Sequence, residues 1–246
     1  MAKEIFNRYE LKFLINEEVY AELINELEPY MVKDSYGDQD GYYTISNIYY
    51  DTEDNLFNYE KLKRQPFRQK VRLRTYNIPS LDCPSFLEIK KKHNGVVNKR
   101  RTVMALNEAY DFLNNDYKNE DIIKFNTSNH QILKEVLFLK NFYKLVPKVS
   151  LSYERQAFHA KEDKDLRITF DKNIRRRLEN LRLEYGSEGE VYIRPDVFVF
   201  EIKVSEKLPL WLVKILSKYR CWMQSFSKYS TSQSGTDIIS IPKKII

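Results

Sequence analysis

The sequence is poor in cysteine and histidine, and it has no long apolar run. Two cysteines, Cys83 and Cys221, and three histidines occur in 246 residues, so neither a disulfide framework nor a thiolate zinc site is expected. No apolar run approaches the roughly 18 residues that a membrane-spanning helix requires. The first residues, MAKEIFNRYELKF, carry charges where a signal peptide would be apolar. These absences predict a soluble cytoplasmic protein. The chain is also expected to form a single domain over residues 1–246.

The composition is that of a globular protein with a cationic surplus. Hydrophobic residues make up 42% and charged residues 31% of the chain, which argues against a disordered chain. The net charge of +6 favours polyanions as partners, although such a surplus names no ligand by itself. The position of the basic residues within the chain is more informative.

Alternation of polar and apolar residues predicts β-strands along most of the chain. A helix is expected after Asn16, a short one over residues 53–62, an outer layer of helix and loop over 107–141, and a helix over 210–219. The predicted strands cover residues 5–15, 42–50, 67–76, 86–93, 96–104, 144–158, 166–171 and 197–204.

Basic residues occupy one face of several predicted strands. In the strand over residues 67–76, one face carries Arg68, Lys70, Arg72 and Arg74, and the other includes Phe67, Val71 and Leu73. Asn94-Gly95 is a strong signal for a two-residue hairpin turn, which fixes the pairing of the two strands that flank it. Lys90 is then opposite Lys99, and Glu88 is opposite Arg101. Because like charges opposite one another destabilise a sheet, this register predicts an anion between the two lysines.

An antiparallel sheet with one face in water would show the same alternation. Such faces usually mix Thr, Ser, Glu, Lys and Gln, whereas here arginines cluster at Arg72 and Arg74 and recur at Arg155 and Arg167. If these strands close into a barrel with the polar face inward, the cations gather around one channel. Their mutual repulsion then favours a polyanionic ligand.

Seven segments together resemble the triphosphate tunnel superfamily, and most closely its VTC (vacuolar transporter chaperone) branch. The match runs in order from Arg8 to Ser230, over nearly the whole chain. The resemblance implies an α+β fold in which a closed antiparallel eight-stranded β-barrel forms a tunnel with a cationic lumen and helices outside. It also implies an ATP-dependent polyphosphate polymerase with a divalent metal, Mn²⁺ or Mg²⁺. The segments are RYELKFLI, RQKVRLRTY, FLEIKKKHNGVVNKRR, SYERQAF, LRITFD, VFEIKV and FSKYS.

The resemblance also implies roles for individual residues. Glu201 matches the metal-binding carboxylate. Glu10 and Glu88 either hold a second metal or orient neighbouring lysines, and we favour the orienting role. The resemblance assigns two groups of residues in this chain to contacts with the phosphates. The catalytic group is Lys12, Arg72, Arg74, Lys90 and Lys228, and the phosphate-binding group is Lys99, Tyr153, Arg155, Arg167, Lys203 and Ser227.

One departure from the superfamily pattern bears on the activity. Hydrolytic and cyclase branches begin with a Glu-x-Glu-x-Lys strand, but here Arg8 replaces the first glutamate. The loss of a carboxylate favours the polymerase branch. A triphosphatase in which Glu10 or Glu88 activates water, and a non-catalytic polyphosphate or inositol-phosphate sensor, are the alternatives.

The expected ligands are ATP and polyphosphate or triphosphate. Nucleic acid is not expected, because the aromatic residues oppose the cations across each strand and do not alternate with them as a stacking platform requires. A membrane span is not expected in this chain, and a membrane-protein partner is left open.

Overall fold

Antiparallel strands form one closed sheet in the computed structural model, which describes residues 5–163 and 165–233. Eight strands pair in the order β7-β3-β4-β5-β6-β1-β10-β8, and β8 pairs back onto β7. The predicted closed eight-stranded barrel is therefore confirmed. The strands are β1 Ile5–Asn16, β2 Met31–Lys33, β3 Tyr42–Asp51, β4 Phe67–Tyr76, β5 Pro84–His93, β6 Val96–Ala105, β7 Val146–Ala160, β8 Arg167–Arg177, β9 Glu190–Val191 and β10 Val197–Val204.

Most of the helices pack on the outside of this ring. Short 3-10 helices cover Asn119–Lys124 and Leu183–Tyr185. Within the described residues, no helix is both long enough and apolar enough to cross a membrane. The α-helices are α1 Glu17–Leu27, α2 Leu56–Leu62, α3 Leu106–Asn114, α4 His130–Tyr143, α5 Leu210–Lys218 and α6 Lys228–Ser232.

Local sequence signals explain how several elements begin and turn. The side chain of Asn16 accepts a hydrogen bond of 2.9 Å from the backbone N–H of Val19, and so caps α1 as predicted. Asn94 and Gly95 adopt φ values of 46° and 91°, as a tight hairpin turn requires. The β5–β6 pairing therefore has the expected register, with Lys90 opposite Lys99.

Two clusters of the hydrophobic core lie outside the ring, on the outward faces of the strands, and a third includes Val199, which shares a strand face with Glu201. On one side, Val71 and Leu87 of the sheet pack with Leu133 of α4. On another side, Phe170 stacks on Phe200 with ring centroids 4.8 Å apart, under α1 and α5. Burying each large apolar side chain contributes about 1.5–3 kcal/mol. This outer core holds the polar face of the sheet toward the inside.

The structure adds elements that the sequence did not predict. β2 and β9 contain three and two residues, too few to show a period. The predicted strand over residues 166–171 continues to Arg177, and the short helix over 53–62 begins at Leu56. The predicted single domain of residues 1–246 includes residues 1–4, 164 and 234–246, which lie outside the described residues, and it stays a prediction.

Candidate functional site

A long, narrow cavity of about 390 Å³ runs inside the ring. Every second residue of β4 from Arg68 to Tyr76 lines it, and at the usual rise per strand residue these positions span about 26 Å. Among the described residues, fifteen lysines and arginines and two glutamates line this cavity. All the site residues predicted from the sequence lie on its wall: Lys12, Arg72, Arg74, Lys90, Lys99, Tyr153, Arg155, Arg167, Glu201, Lys203, Ser227 and Lys228.

Glu201 lies at the centre of the largest group of cations. Its Oε1 is 3.2 Å from Nζ of Lys12 and 3.3 Å from Nζ of Lys228, and its Oε2 is 3.2 Å from Nζ of Lys203. Burial by itself would raise the pKa of Glu201, but these ammonium groups hold that pKa well below its usual value. Glu201 is therefore ionised at neutral pH and neutralises part of the charge of the empty cavity.

Asp171 contacts Lys228 of the same group and also Arg155. Nε and NH2 of Arg155 donate to its two carboxylate oxygens at 2.6 and 2.7 Å, and Nζ of Lys228 lies 2.5 Å from Oδ2. The two parallel bonds fix the plane of the Arg155 guanidinium group. No role was predicted for Asp171 from the sequence, because its partners depend on the pairing of β7 with β8.

Glu88 organises a second group of cations. Arg72 approaches Oε2 of Glu88 through Nε and NH2, both at 2.7 Å, and Nζ of Lys99 contacts Oε1. NH1 of Arg72 also donates to the hydroxyl of Tyr49 at 2.8 Å. Burial would raise the pKa of Glu88, but Lys99 and Arg72 hold it well below its usual value. Arg72 is thus held in one orientation before any ligand binds.

The polar side chains around Arg74 continue this network. Nε of Arg74 donates to Oδ1 of Asn47 at 2.8 Å, and NH2 donates to the hydroxyl of Tyr153 at 3.1 Å. A hydroxyl group that accepts one bond can still donate its own proton. Tyr153 therefore has a proton to donate into the cavity, as its predicted role requires.

The facing lysines of the hairpin have separate partners. Nζ of Lys90 lies 2.5 Å from Oε2 of Glu10, whereas Lys99 contacts Glu88. Glutamates thus supply counter-charges for both lysines within the protein, and the expectation of an anion between Lys90 and Lys99 stays a prediction. The register of this hairpin gives no information about Glu10, because Glu10 lies on a different strand. Both glutamates contact basic side chains, which agrees with the orienting role.

The two ends of the cavity differ. At the β4 residue Tyr76, the ring of Tyr43 lies 5.9 Å away, and Arg167 donates to Oδ2 of Asp34 at 2.9 Å. At the other end, four further cations line the wall, and we call them the α2 mouth: Lys61, Arg68, Lys70 and Lys92. Arg68 and Lys70 share the face of Arg72 and Arg74, so the alternation contained a signal for them. Lys61 comes from α2 and gave none.

Ser227 joins the α2 mouth to the centre of the cavity. Its hydroxyl oxygen accepts from Nζ of Lys70 at 2.7 Å and from the backbone N–H of Ser230 at 3.1 Å. Burial and the nearby charges of Lys12 and Lys90 hold the pKa of Lys70 well below its usual value. The Ser227 proton remains available to a ligand, as the predicted role of this residue requires.

Comparison with known families assigns the chain to one of them. The family model of the VTC domain matches residues 7–234. The chain belongs to the VTC domain family. Subunit 4 of the vacuolar transporter chaperone complex of Schizosaccharomyces pombe is 30% identical over 146 residues, which cover 53% of this chain and 20% of that protein. Subunit 4 of Trypanosoma brucei brucei is 24% identical over 218 residues, which cover 76% of this chain and 27% of that protein.

The chain covers only part of its relatives and shares its fold with a solved structure. This VTC domain spans only about a fifth to a quarter of the length of those relatives. A solved structure of a putative adenylyl cyclase from Hippeastrum, whose title reports a dominant triphosphatase activity, aligns with a TM-score of 0.52 at 14% identity. The alignment covers 96% of this chain and 98% of that one. At this identity the likeness shows a shared fold.

The described residues of the VTC domain do not form a metal cage by themselves. No three His, Cys, Asp or Glu side chains between residues 5 and 233, residue 164 apart, lie together in a way that could hold a metal ion. Glu201 is an ionised carboxylate on the cavity wall, which is a ligand that Mg²⁺ and Mn²⁺ accept. Mg²⁺ is often held by one or two carboxylates together with substrate phosphates. Glu201 fits this role only if a bound phosphate chain supplies further oxygens.

Proposed function

We propose that this VTC domain is an ATP-dependent polyphosphate polymerase, which transfers the γ-phosphoryl group of ATP to the end of a polyphosphate chain. The observation that carries the proposal is the shape and charge of the cavity: about 390 Å³, elongated, with fifteen cations and two glutamates on its wall. A linear polyanion matches both properties. The similarity to subunits of a vacuolar transporter chaperone complex is consistent with it.

The cationic wall supplies what phosphoryl transfer needs from a protein. Such transfers depend mainly on alignment and on neutralising the charge of the transferring group. Arg72 and Arg74 project from successive inward positions of β4, and Glu88 and Asn47 hold their guanidinium groups in place. In the proposed reaction these two arginines bind the γ-phosphoryl group. Lys12, Lys90 and Lys228 neutralise the phosphates on either side of it.

The remaining predicted residues bind the rest of the anion. Lys99, Arg155, Arg167 and Lys203 carry positive charge, and Tyr153 and Ser227 have hydroxyl protons to donate. Glu201 would hold a divalent cation together with phosphate oxygens, and that cation would neutralise charge on the phosphates it touches. This proposal includes neither a particular metal nor a second metal site.

The bond changes balance without a protein base. The bond between the γ-phosphorus and the oxygen that bridges it to the β-phosphate breaks, and ADP leaves with the electron pair. A new bond forms between the same phosphorus and a terminal oxygen of the polyphosphate chain. Because that oxygen is already anionic at neutral pH, no proton has to be removed from the acceptor.

Hydrolysis makes a different demand, and the carboxylates of the site suit it poorly. A base that activates water works best with a pKa near the operating pH. Burial would raise the pKa of Glu10, but Lys90 holds it below its usual value, and Glu88 is lowered in the same way by Lys99 and Arg72. Both are weak bases already engaged with cations. This favours the polymerase over a triphosphatase.

Product analysis tests the proposal. The protein is incubated with ATP and either Mn²⁺ or Mg²⁺, and the phosphate products are sized on a gel. Long chains together with ADP are expected. Orthophosphate as the sole phosphate product identifies a triphosphatase, and tight binding of polyphosphate without turnover identifies a sensor. An Arg72→Ala variant, which removes a cation from the cavity wall, controls for contaminating activities and is expected to form no chains.

A further inference from the structure

Charge pairing differs along the cavity. In the centre and at the Tyr76 end, acidic groups lie beside the cations: Glu201 beside Lys12, Glu10 beside Lys90, and Asp34 beside Arg167. Among residues 5–163 and 165–233, no carboxylate lies within ion-pair distance of the four cations of the α2 mouth. This end therefore carries positive charge that the described part of the protein does not neutralise.

Hydroxyl groups take the place of carboxylates at the α2 mouth. Nζ of Lys61 donates to Oγ of Ser225 at 3.0 Å, and Nζ of Lys70 donates to Oγ of Ser227 at 2.7 Å. A hydroxyl orients an ammonium group without cancelling its charge. The segment between α5 and α6 thus positions two lysines of the mouth through hydroxyl groups and adds no negative charge beside them.

The other two cations of the mouth face each other. Arg68 and Lys92 are direct partners in the β4–β5 ladder, an arrangement that destabilises a sheet unless an anion is near. The Nε of Arg68 is buried and has no hydrogen-bond partner among the described residues, which is an unfavourable arrangement for a charged donor. Unlike Lys90 and Lys99, neither member of this pair has a carboxylate within ion-pair distance in the part of the chain that the structure describes.

We propose that the α2 mouth is a subsite for phosphate groups beyond the third, so that a long polyphosphate chain leaves the cavity between α2 and the segment before α6. The proposal rests on the proposed function and adds a direction to it. Regularly spaced negative charges along a flexible chain suit four cations that lie around an opening. A triphosphate enclosed in the centre contacts Arg72, Arg74 and Lys228 and does not need Lys61 or Lys92.

Chain-length dependence of binding tests this proposal. Two ligands are compared, inorganic tripolyphosphate and a long linear polyphosphate of defined length. Their affinities are measured in metal-free buffer for the unaltered protein and for the double variant Lys61→Gln/Lys92→Gln. We expect the affinity for the long chain to fall about tenfold, since two charged contacts each contribute about threefold. The affinity for tripolyphosphate is expected to change less than about twofold. The salt dependence of long-chain binding should also weaken.

Two matched controls separate the mouth from general charge. Lys134→Gln/Lys161→Gln removes the same charge from exposed positions outside the cavity and is expected to leave both affinities unchanged. Arg101 lines the far end, where it lies 5.1 Å from the ring centroid of Phe86, beside Tyr76. If Arg101→Gln weakens long-chain binding more than the mouth variant does, the chain leaves at the other end and the proposal is wrong.

The outcomes also distinguish this proposal from the proposed function. If the unaltered protein binds neither anion, the polyanion cavity itself is refuted. If it binds both anions and the mouth variant weakens the two equally, or weakens neither, only the exit subsite is refuted. A selective loss of long-chain affinity supports the subsite.

Discussion

Lys12 and Glu201 are direct partners across the β1–β10 strand pair, and Nζ of Lys12 lies 3.2 Å from Oε1 of Glu201. Glu201 also contacts Lys228 and Lys203, so one carboxylate lies within ion-pair distance of three ammonium groups. A phosphate chain that enters the cavity competes with Glu201 for these lysines. Glu201 therefore either repels the ligand or holds a cation against it.

A Glu201→Gln substitution separates these two roles. The amide keeps the shape of the side chain but removes its charge, so a metal shared with phosphates is lost. We expect ATP-dependent turnover to fall by about 10²–10³-fold, as measured by ADP release. In metal-free buffer, the affinity for tripolyphosphate should hold or rise, because a negative charge has left a cationic cavity.

Glu190→Gln is a suitable control for this substitution, because the Glu190 side chain is 62% exposed and pairs with Arg176 away from the cavity wall. It should change neither quantity. Near-full activity of Glu201→Gln would refute the metal role, and Glu10 or Glu88 would then become the candidate.

Glu88 should matter for stability more than any exposed acid. Its side chain is 1% exposed and contacts both Arg72 and Lys99. Glu88→Gln leaves these two cations without a counter-charge, and removal of one partner from a buried ion pair typically costs about 3–5 kcal/mol. We expect a loss of that order in urea denaturation, against about 1 kcal/mol or less for the exposed Glu190→Gln. Unchanged stability of Glu88→Gln would show that the contacts of Glu88 with Arg72 and Lys99 contribute no net free energy of unfolding.

Tripolyphosphate should stabilise the folded protein. A ligand that binds the folded state raises the melting temperature by mass action, and here it also relieves repulsion among the cations of the cavity. The shift should exceed that of orthophosphate at equal ionic strength, and a neutral sugar should give none. It should be larger for Glu88→Gln than for the unaltered protein, because the anion supplies part of the lost charge. Equal shifts for orthophosphate and tripolyphosphate would contradict an elongated site.

The strands of the ring and their basic faces were predictable because alternation is a local property. Arg72 and Arg74 occupy the inward face of β4 for the same reason that Val71 and Leu73 occupy the outward one. The Asn94-Gly95 turn fixed the β5–β6 register without any tertiary information. Each of these features depends on a few neighbouring residues and can therefore be predicted from the sequence alone.

The contacts between distant elements were less accessible. Asp171 meets Arg155 only because a register shift in β7 between Ser152 and Glu154 sets its pairing with β8. Lys61 reaches the cavity because α2 packs beside β4, which no alternation reveals. Glu10 of β1 meets Lys90 of β5, two strands away in the ring, and not within one hairpin. Partner choice thus depends on closure of the ring, and the sequence predicted the groups but not their pairs.

The lysines of the empty cavity should make stability depend on alkaline pH. Burial, together with the charges of Lys12, Lys90 and Lys61, holds the pKa of Lys70 well below its usual value, whereas in the unfolded chain it returns to about 10.4. Between the two values the unfolded chain binds more protons than the folded one, so the free energy of unfolding rises with pH. Lys203 shifts in the same direction, chiefly through burial. Lys228, whose pKa is raised against the effect of burial by Asp171, loses its stabilising contribution only above this range.

We therefore expect the melting temperature of the ligand-free protein to rise from neutral pH toward pH of about 10. Lys70→Met should flatten the rise, because methionine fills similar space and has no proton to lose. Saturating long-chain polyphosphate should flatten it as well, since an anion beside Lys70 raises the pKa of that lysine toward its unfolded value. Differential scanning fluorimetry across this range, with and without long-chain polyphosphate, measures all three slopes. A melting temperature that falls with pH in the ligand-free protein, or a slope that Lys70→Met leaves unchanged, would show that Lys70 keeps its proton in the empty cavity.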